Sequence, residues 1–141
     1  EGSAVMQITR QTEYAVRTLL ELAAAPAGET VSTRIISEKQ GIPDEFLKKT
    51  IQLLAVAHLV TTHRGTGGGV RLAKPATDIT LLDIITAIEG PPALNVCLSP
   101  DYHCPNKPNC SLSRILGKAQ EALVEELQRE TLADMIKSQK G

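Results

Sequence analysis

Residues 31–75 read VSTRIISEKQGIPDEFLKKTIQLLAVAHLVTTHRGTGGGVRLAKP, and this run decides the fold. Ser32 is placed to cap a short helix, Thr33 to Gln40, with Ile35 and Ile36 inward and Gly41 as its stop. Ile42 and Pro43 open a second helix to about His58. Phe46, Leu47, Ile51, Leu54 and Ala57 fall on one face of it, and Asp44, Glu45, Lys48, Lys49 and Gln52 on another. Two helices joined by a short Gly-containing turn match a helix-turn-helix, and equally a plain helical hairpin with a solvated lysine face. The next segment tips the balance. Val60 to Arg64 is rich in Val and Thr, Gly65-Thr66-Gly67-Gly68-Gly69 suits a hairpin tip, and Val70-Arg71-Leu72-Ala73 returns before Pro75. That is a two-stranded wing. No Gly-Lys-Ser/Thr follows the glycines and a strand rather than a helix comes next, so nucleotide binding is rejected. Arg64 and Arg71 beside a glycine tip suit a narrow DNA minor groove, against the plainer reading of a solvated hairpin.

Upstream, Ala15, Val16, Leu19, Leu20, Leu22 and Ala23 recur at helical spacing within Thr9 to Ala25, and Pro26 and Gly28 stop that helix. Residues 1–5, before Met6, read as an expression remnant. The chain has 141 residues, 42% hydrophobic and only 2% aromatic, which predicts one aliphatic, helix-rich core. The net charge of −1 is unevenly spread. Residues 1–75 carry nine Lys/Arg and seven Asp/Glu, whereas residues 76–141 carry six and nine. A nucleic-acid face on the first half is compatible with that asymmetry. An odd cysteine count, with no signal peptide and no long apolar run, points to a cytoplasmic protein with reduced thiols and no membrane contact.

Downstream, Thr80-Leu81-Leu82-Asp83 has the form of a capping box and starts a helix to about Glu89, with Leu81, Leu82, Ile84, Ile85 and Ile88 as its buried side. Gly90-Pro91-Pro92 halts it. The segment 91–110, PPALNVCLSPDYHCPNKPNC, holds all three cysteines and five prolines, so it is a stiff loop carrying every soft ligand of the chain. Ser111 or Ser113 then caps one long final helix to about Lys137. Ile115, Leu116, Ala119, Leu123, Leu127, Leu132, Met135 and Ile136 lie along one stripe. About 25 residues of helix would span roughly 37 Å, so the stripe needs a second chain, and a two-fold dimer is the simplest partner. The expected fold is mainly α with a small β-hairpin: a winged helix-turn-helix plus a long C-terminal dimerisation helix. The expected division is a head over 6–78, a helix and cysteine loop over 79–110, and a dimerisation helix and tail over 111–141.

The succession MQITRQTEYAVRTLLELA, VSTRIISEKQGIPDEFLKKTIQLLAVAHLV, HRGTGGGVRLAKP and LLDIITAIEGP, followed by three cysteines, resembles the Rrf-two family of bacterial winged-helix regulators, whose iron–sulfur members include IscR-like and NsrR-like proteins. The resemblance implies a homodimeric transcription regulator, most simply a repressor, on double-stranded promoter DNA with palindromic half-sites. It also implies a two-iron or four-iron iron–sulfur cluster that governs DNA affinity, with nitric oxide or oxygen as a signal. Cys97, Cys104 and Cys110 match the cluster thiolates. Thr33, Pro43, Asp44, Lys48 and Lys49 fall on the family's major-groove surface, and Arg64 and Thr66 on its wing. The C-x6-C-x5-C spacing departs from the IscR-like pattern, and Ser113 stands where those members carry a histidine ligand. Glu13, reaching over from the other subunit as in some NsrR-like relatives, is then the preferred fourth ligand, ahead of Asp101 and His103. Its plainer role is a first-turn acid on the helix dipole.

Zinc is disfavoured because no CxxC pair exists. A metal-free regulator of the same fold, sensing thiol oxidation or a partner, is the main alternative, and an iron–sulfur carrier without a DNA role is a second. An enzyme is not expected: His58, His63 and His103 are dispersed and no nucleophile–base pair is suggested. His58 and His63 read as base-edge or phosphate contacts rather than ligands.

Overall fold

The computed structural model describes residues 9–26, 28–64, 68–90 and 111–140. The cysteines, Asp101, His103, Thr66 and residues 1–5 lie outside the described residues. Helix α1 (Arg10–Ala24) starts where the side chain of Thr9 accepts from the Thr12 N–H, and it buries Ala15, Leu19 and Leu22. Ser32 caps α2 (Thr33–Gln40), and Gly41 ends it in the left-handed conformation at φ 64°. The turn into α3 (Asp44–Val56) is closed by the Ser37 hydroxyl, which donates to the Ile42 carbonyl at 2.6 Å, while the Ile42 side chain is buried. Strands β1 (Val60–His63) and β2 (Gly69–Leu72) pair antiparallel, with Val60 opposite Leu72 and His63 opposite Gly69. A single 3-10 turn (Ala76–Asp78) leads to α4 (Leu81–Glu89), and α5 (Ser111–Arg129) and α6 (Leu132–Lys140) complete the described chain.

The core is aliphatic, as the composition demands: Leu19, Ile36, Leu47, Leu54, Ile84 and Leu132 are fully buried. Helix α1 is its axis, packed on α2, α3, α4, α6 and the wing. Two expected core residues are instead exposed. Ile35 is on the surface while its neighbour Ile36 is buried, and Phe46 is 52% exposed while Leu47 is buried. Neighbouring helical residues are about 100° apart, and in these two helices the core takes only the second member of each pair. Phe46 meets the ring of Tyr14 on α1 at a centroid distance of 6.1 Å.

The expected single C-terminal helix is in fact two. Thr131 and Asp134 form a reciprocal cap, each backbone N–H donating to the other's side chain at 3.1 Å. These bonds hold the Asp134 carboxyl below its ordinary value. The break is locked to the head by backbone: the Leu81 N–H donates to the Glu130 carbonyl at 2.9 Å and the Leu132 N–H to the Ile79 carbonyl at 2.8 Å. Thr80 and Thr131, the caps of α4 and α6, thus face each other in a two-residue bridge. Helix α5 is left with 19 residues, about 28 Å.

Two further ties set the geometry of the head. The carboxylate of Glu89, the last residue of α4, accepts from the Thr12 hydroxyl at 2.6 Å, the Thr9 N–H at 3.3 Å and the Thr9 hydroxyl, fastening the end of α4 to the start of α1. The other tie joins wing to helix-turn-helix. Val31, just before the α2 cap, exchanges both backbone hydrogen bonds with Val70 at 2.8 and 2.9 Å. Such proximity requires Gly69: a Cβ there would lie 2.4 Å from the Val31 carbonyl oxygen, and its φ of +150° is one that L side chains rarely adopt.

Glu89→Ala strips three donors of one acceptor and is expected to destabilise the fold by about 1–3 kcal/mol in urea unfolding, with an unchanged slope. Gly69→Ala combines backbone strain with a clash against main chain. It is expected to cost at least about 2 kcal/mol, read as a lowered Tm, and to detach the wing from Val31, read as faster exchange of the Val31 and Val70 amides.

Candidate nucleic-acid interface

The Val31–Val70 pairing brings the base of the wing against the start of α2 and the flank of α3. Between them runs a groove of about 380 Å³ lined by Ser32, Thr33, Lys48, Ile51, Gln52, Thr62, His63, Gly68, Gly69 and Val70. Its polar lining comes from Ser, Thr, Gln, His and Lys residues, and among the described residues no Asp or Glu lines it. Such a surface suits a polyanion: hydroxyls and backbone N–H groups at a helix start bind phosphate oxygens, and a lysine adds a point charge. On α3, Lys48 and Gln52 lie four residues apart, share one face and both line this groove.

The residues expected from sequence divide accordingly. Thr33 and Lys48 are brought together in the groove. Pro43 is the N-cap of α3, and Asp44 opens its first turn; both are exposed, as is Lys49, and none of the three lines the groove. Arg64 is exposed at the end of β1, where the chain enters the wing tip. Arg71 donates to the Gly28 carbonyl at 3.3 Å, which directs it to the far edge of the wing. His58 lies away from the groove and ends α3 in the left-handed conformation at φ 64°. His63 does line the groove, and so do Ser32 and Gln52, which sequence reasoning had assigned only to a cap and a polar helix face.

Glu13 stands in the first turn of α1, with its side chain 60% exposed and only a loose ion pair to Arg17 at 4.0 Å. Among the described residues no group of His, Cys, Asp and Glu is assembled that could hold a metal. Helix α5 buries none of its described side chains: Leu112 is 58% and Ile115 65% exposed, and the helix packs chiefly on α4. No helix among the described residues is long and apolar enough to cross a membrane.

Residues 8–138 match the Rrf2 family, described as an iron-dependent transcriptional regulator. The chain is 42% identical over 136 residues to protein aau3 of Rhizobium meliloti (strain 1021), covering 94% of this chain and 86% of that protein. Among solved structures it is similar to T. potens IscR, at 30% identity and a TM-score of 0.73, over 94% of this chain and 87% of the other. It is likewise similar to CymR (YrzC), the global cysteine regulator of B. subtilis, at 25% identity and a TM-score of 0.71, over 95% and 98%. The family match runs from the start of α1 through the wing and α4, α5 and most of α6; the chain belongs to the Rrf2 family of winged-helix transcription regulators.

Proposed function

We propose that this protein is a homodimeric repressor that grips palindromic promoter DNA through two copies of the head formed by residues 6–78. Its affinity is set by an iron–sulfur cluster held in the segment of residues 79–110, which comprises α4 and the cysteine loop after it. The observation that carries the DNA reading is the groove itself. Thr33 and the α2 start meet phosphate, Lys48 and Gln52 on α3 face the major groove, and Arg64 and Thr66 on the wing enter the minor groove. Pro43, Asp44 and Lys49 flank this surface at the start of α3. Dimerisation through 111–141 is supported by α5, where Leu112 and Ile115 are exposed and Leu116, Leu123 and Leu127 only half-buried, an apolar surface that a second copy would cover.

Cys97, Cys104 and Cys110 would hold the cluster as thiolates, soft ligands suited to iron, with Glu13 of a second copy as a harder and weaker fourth ligand. The exposure of Glu13 and its loose pairing with Arg17 leave that carboxylate able to reach outward. When bound, such a cluster supplies a centre at which nitric oxide or oxygen can react. The protein's own part is mechanical: the loop leaves α4 directly after Glu89, which is fastened to Thr9 and Thr12 at the start of α1, so strain in the loop is delivered to the helix on which the head is built. A metal-free, thiol-based regulator of the same fold is the competing outcome. The family match sets aside a carrier without a DNA role.

Duplexes selected by the anaerobic protein from random-sequence DNA are expected to be palindromic and to bind one dimer, with affinity falling steeply with salt. Lys48→Ala should weaken binding of every duplex alike and reduce the salt slope by about one per half-site, whereas Arg64→Ala should cost about 1–3 kcal/mol on selected duplexes. Ile115→Asp should give monomers by light scattering. Purified without oxygen, the protein should contain iron and sulfide, and Ala at Cys97, Cys104 or Cys110 should remove them. Glu13→Ala should retain a cluster that decays faster. Full iron retention in all three cysteine variants, or none in the wild type after reconstitution, overturns the cluster and favours the thiol-based regulator.

A further inference from the structure

Along α3 the buried residues Leu47, Thr50, Ile51 and Leu54 mark the side turned to the core. Glu45, Lys49, Gln52 and Val56 recur in steps of four, three and four; all are exposed, Val56 to 77%. At about 100° per residue these four form a stripe opposite the core. Of the stripe, Gln52 alone also lines the groove beside the wing, with Lys48 one turn before it. Gln52 thus stands at the border between the outward face of α3 and the groove. Among the described residues its amide has no hydrogen-bond partner.

Lys48 and Gln52 would meet different parts of a duplex. With α3 in the major groove and the wing in the adjoining minor groove, the sugar–phosphate strand that divides the two passes between helix and wing. Lys48, in the protein's groove and off the outward stripe, is placed for that strand. Gln52, on the stripe as well, is placed where the strand gives way to base edges.

The amide is selective in what can satisfy it. It carries a carbonyl acceptor and an NH2 donor side by side. A phosphate offers acceptors only and leaves the carbonyl idle. In the major groove guanine shows two acceptors, cytosine a donor, and thymine an acceptor and a methyl group; of the four bases adenine alone sets a donor, N6–H, next to an acceptor, N7.

We propose that Gln52 is a base-reading residue that selects adenine at one position of each half-site, its carbonyl accepting from N6–H and its NH2 donating to N7. The inference rests on the DNA-binding reading above. It divides the work of α3: Lys48 holds the backbone whatever the sequence, and Gln52 discriminates.

The test selects duplexes from random-sequence DNA with the wild type, Gln52→Ala and Gln52→Glu, and measures their affinities by fluorescence anisotropy at constant salt. The wild-type selection is expected to hold an adenine at one position per half-site that becomes degenerate for Gln52→Ala. For Gln52→Glu the preference there should turn to cytosine, because a carboxylate accepts from cytosine N4. Any other base at that position should cost the wild type about tenfold per half-site and leave Gln52→Ala unaffected. A duplex with 7-deazaadenine there, which has C–H in place of N7, should weaken the wild type about fivefold per half-site. That measurement needs no variant, so it decides the contact even where a substitution harms the fold. Gln52→Ala weakening every duplex alike makes Gln52 a backbone contact, and unchanged selection makes it a bystander; either result overturns the proposal while DNA binding stands. Failure of the wild type to select any duplex removes the DNA reading and this inference together.

Discussion

The pair of backbone hydrogen bonds between Val31 and Val70 is the constraint on which the reading surface depends. Two strands alone are marginal in water, and although Val60 and Val70 anchor the wing in the core, it is this pairing that joins β2 to the start of α2. With it, β2 is bound on both edges, α2 begins at the seam, and Thr33, Lys48 and His63 are drawn into one groove from three separate elements. Gly69 is what allows the approach. A single absent methyl group is thus a condition for the seam itself.

The second principle of construction is that helix ends, rather than helix faces, join the parts. Glu89 ties the end of α4 to the start of α1 through Thr9 and Thr12, and the caps of α4 and α6 sit side by side through Thr80 and Thr131. Helix termini carry unsatisfied backbone groups, and pairing one terminus with another satisfies them without further loop. The result is a head whose first, fourth and last helices are bonded at their ends and packed along their sides, while α5 leaves Leu112 and Ile115 exposed. The groove and the exposed residues of α5 are separate surfaces of one chain.

Much of this was legible in the residues. Ser32, Gly41 and the Thr80-Leu81-Leu82-Asp83 box marked element ends correctly because capping is local chemistry, decided by side chains within four residues of one another. The break after α5 was missed although Thr131-Leu132-Ala133-Asp134 carries the same box. The apolar stripe runs on through Leu132, Met135 and Ile136 at helical spacing, and periodicity conceals a change of direction when both halves keep the same phase. Ile35 and Phe46 were misplaced for a related reason: each precedes another large apolar residue, and only packing chooses between neighbours. That His63, already read as a base-edge or phosphate contact, lines one groove with Gln52 and Thr33 depends on the seam at Val31, a long-range fact that no window of sequence contains. The cysteines are the reverse case: their number and setting are plain in the chain, and the described residues do not reach them.

One feature of the backbone carries a consequence for how a dimer would respond to its signal. Helix α5 rests on α4 through side chains, and among the described residues its main-chain fastening to the head is at the Glu130–Leu132 joint. A rod of about 28 Å pivoting there by about 10° sweeps its free end through roughly 5 Å, more than the rise of one base step. A disturbance too slight to unfold anything could thus carry two heads out of phase with the double helix, as an oar turns a boat from one rowlock.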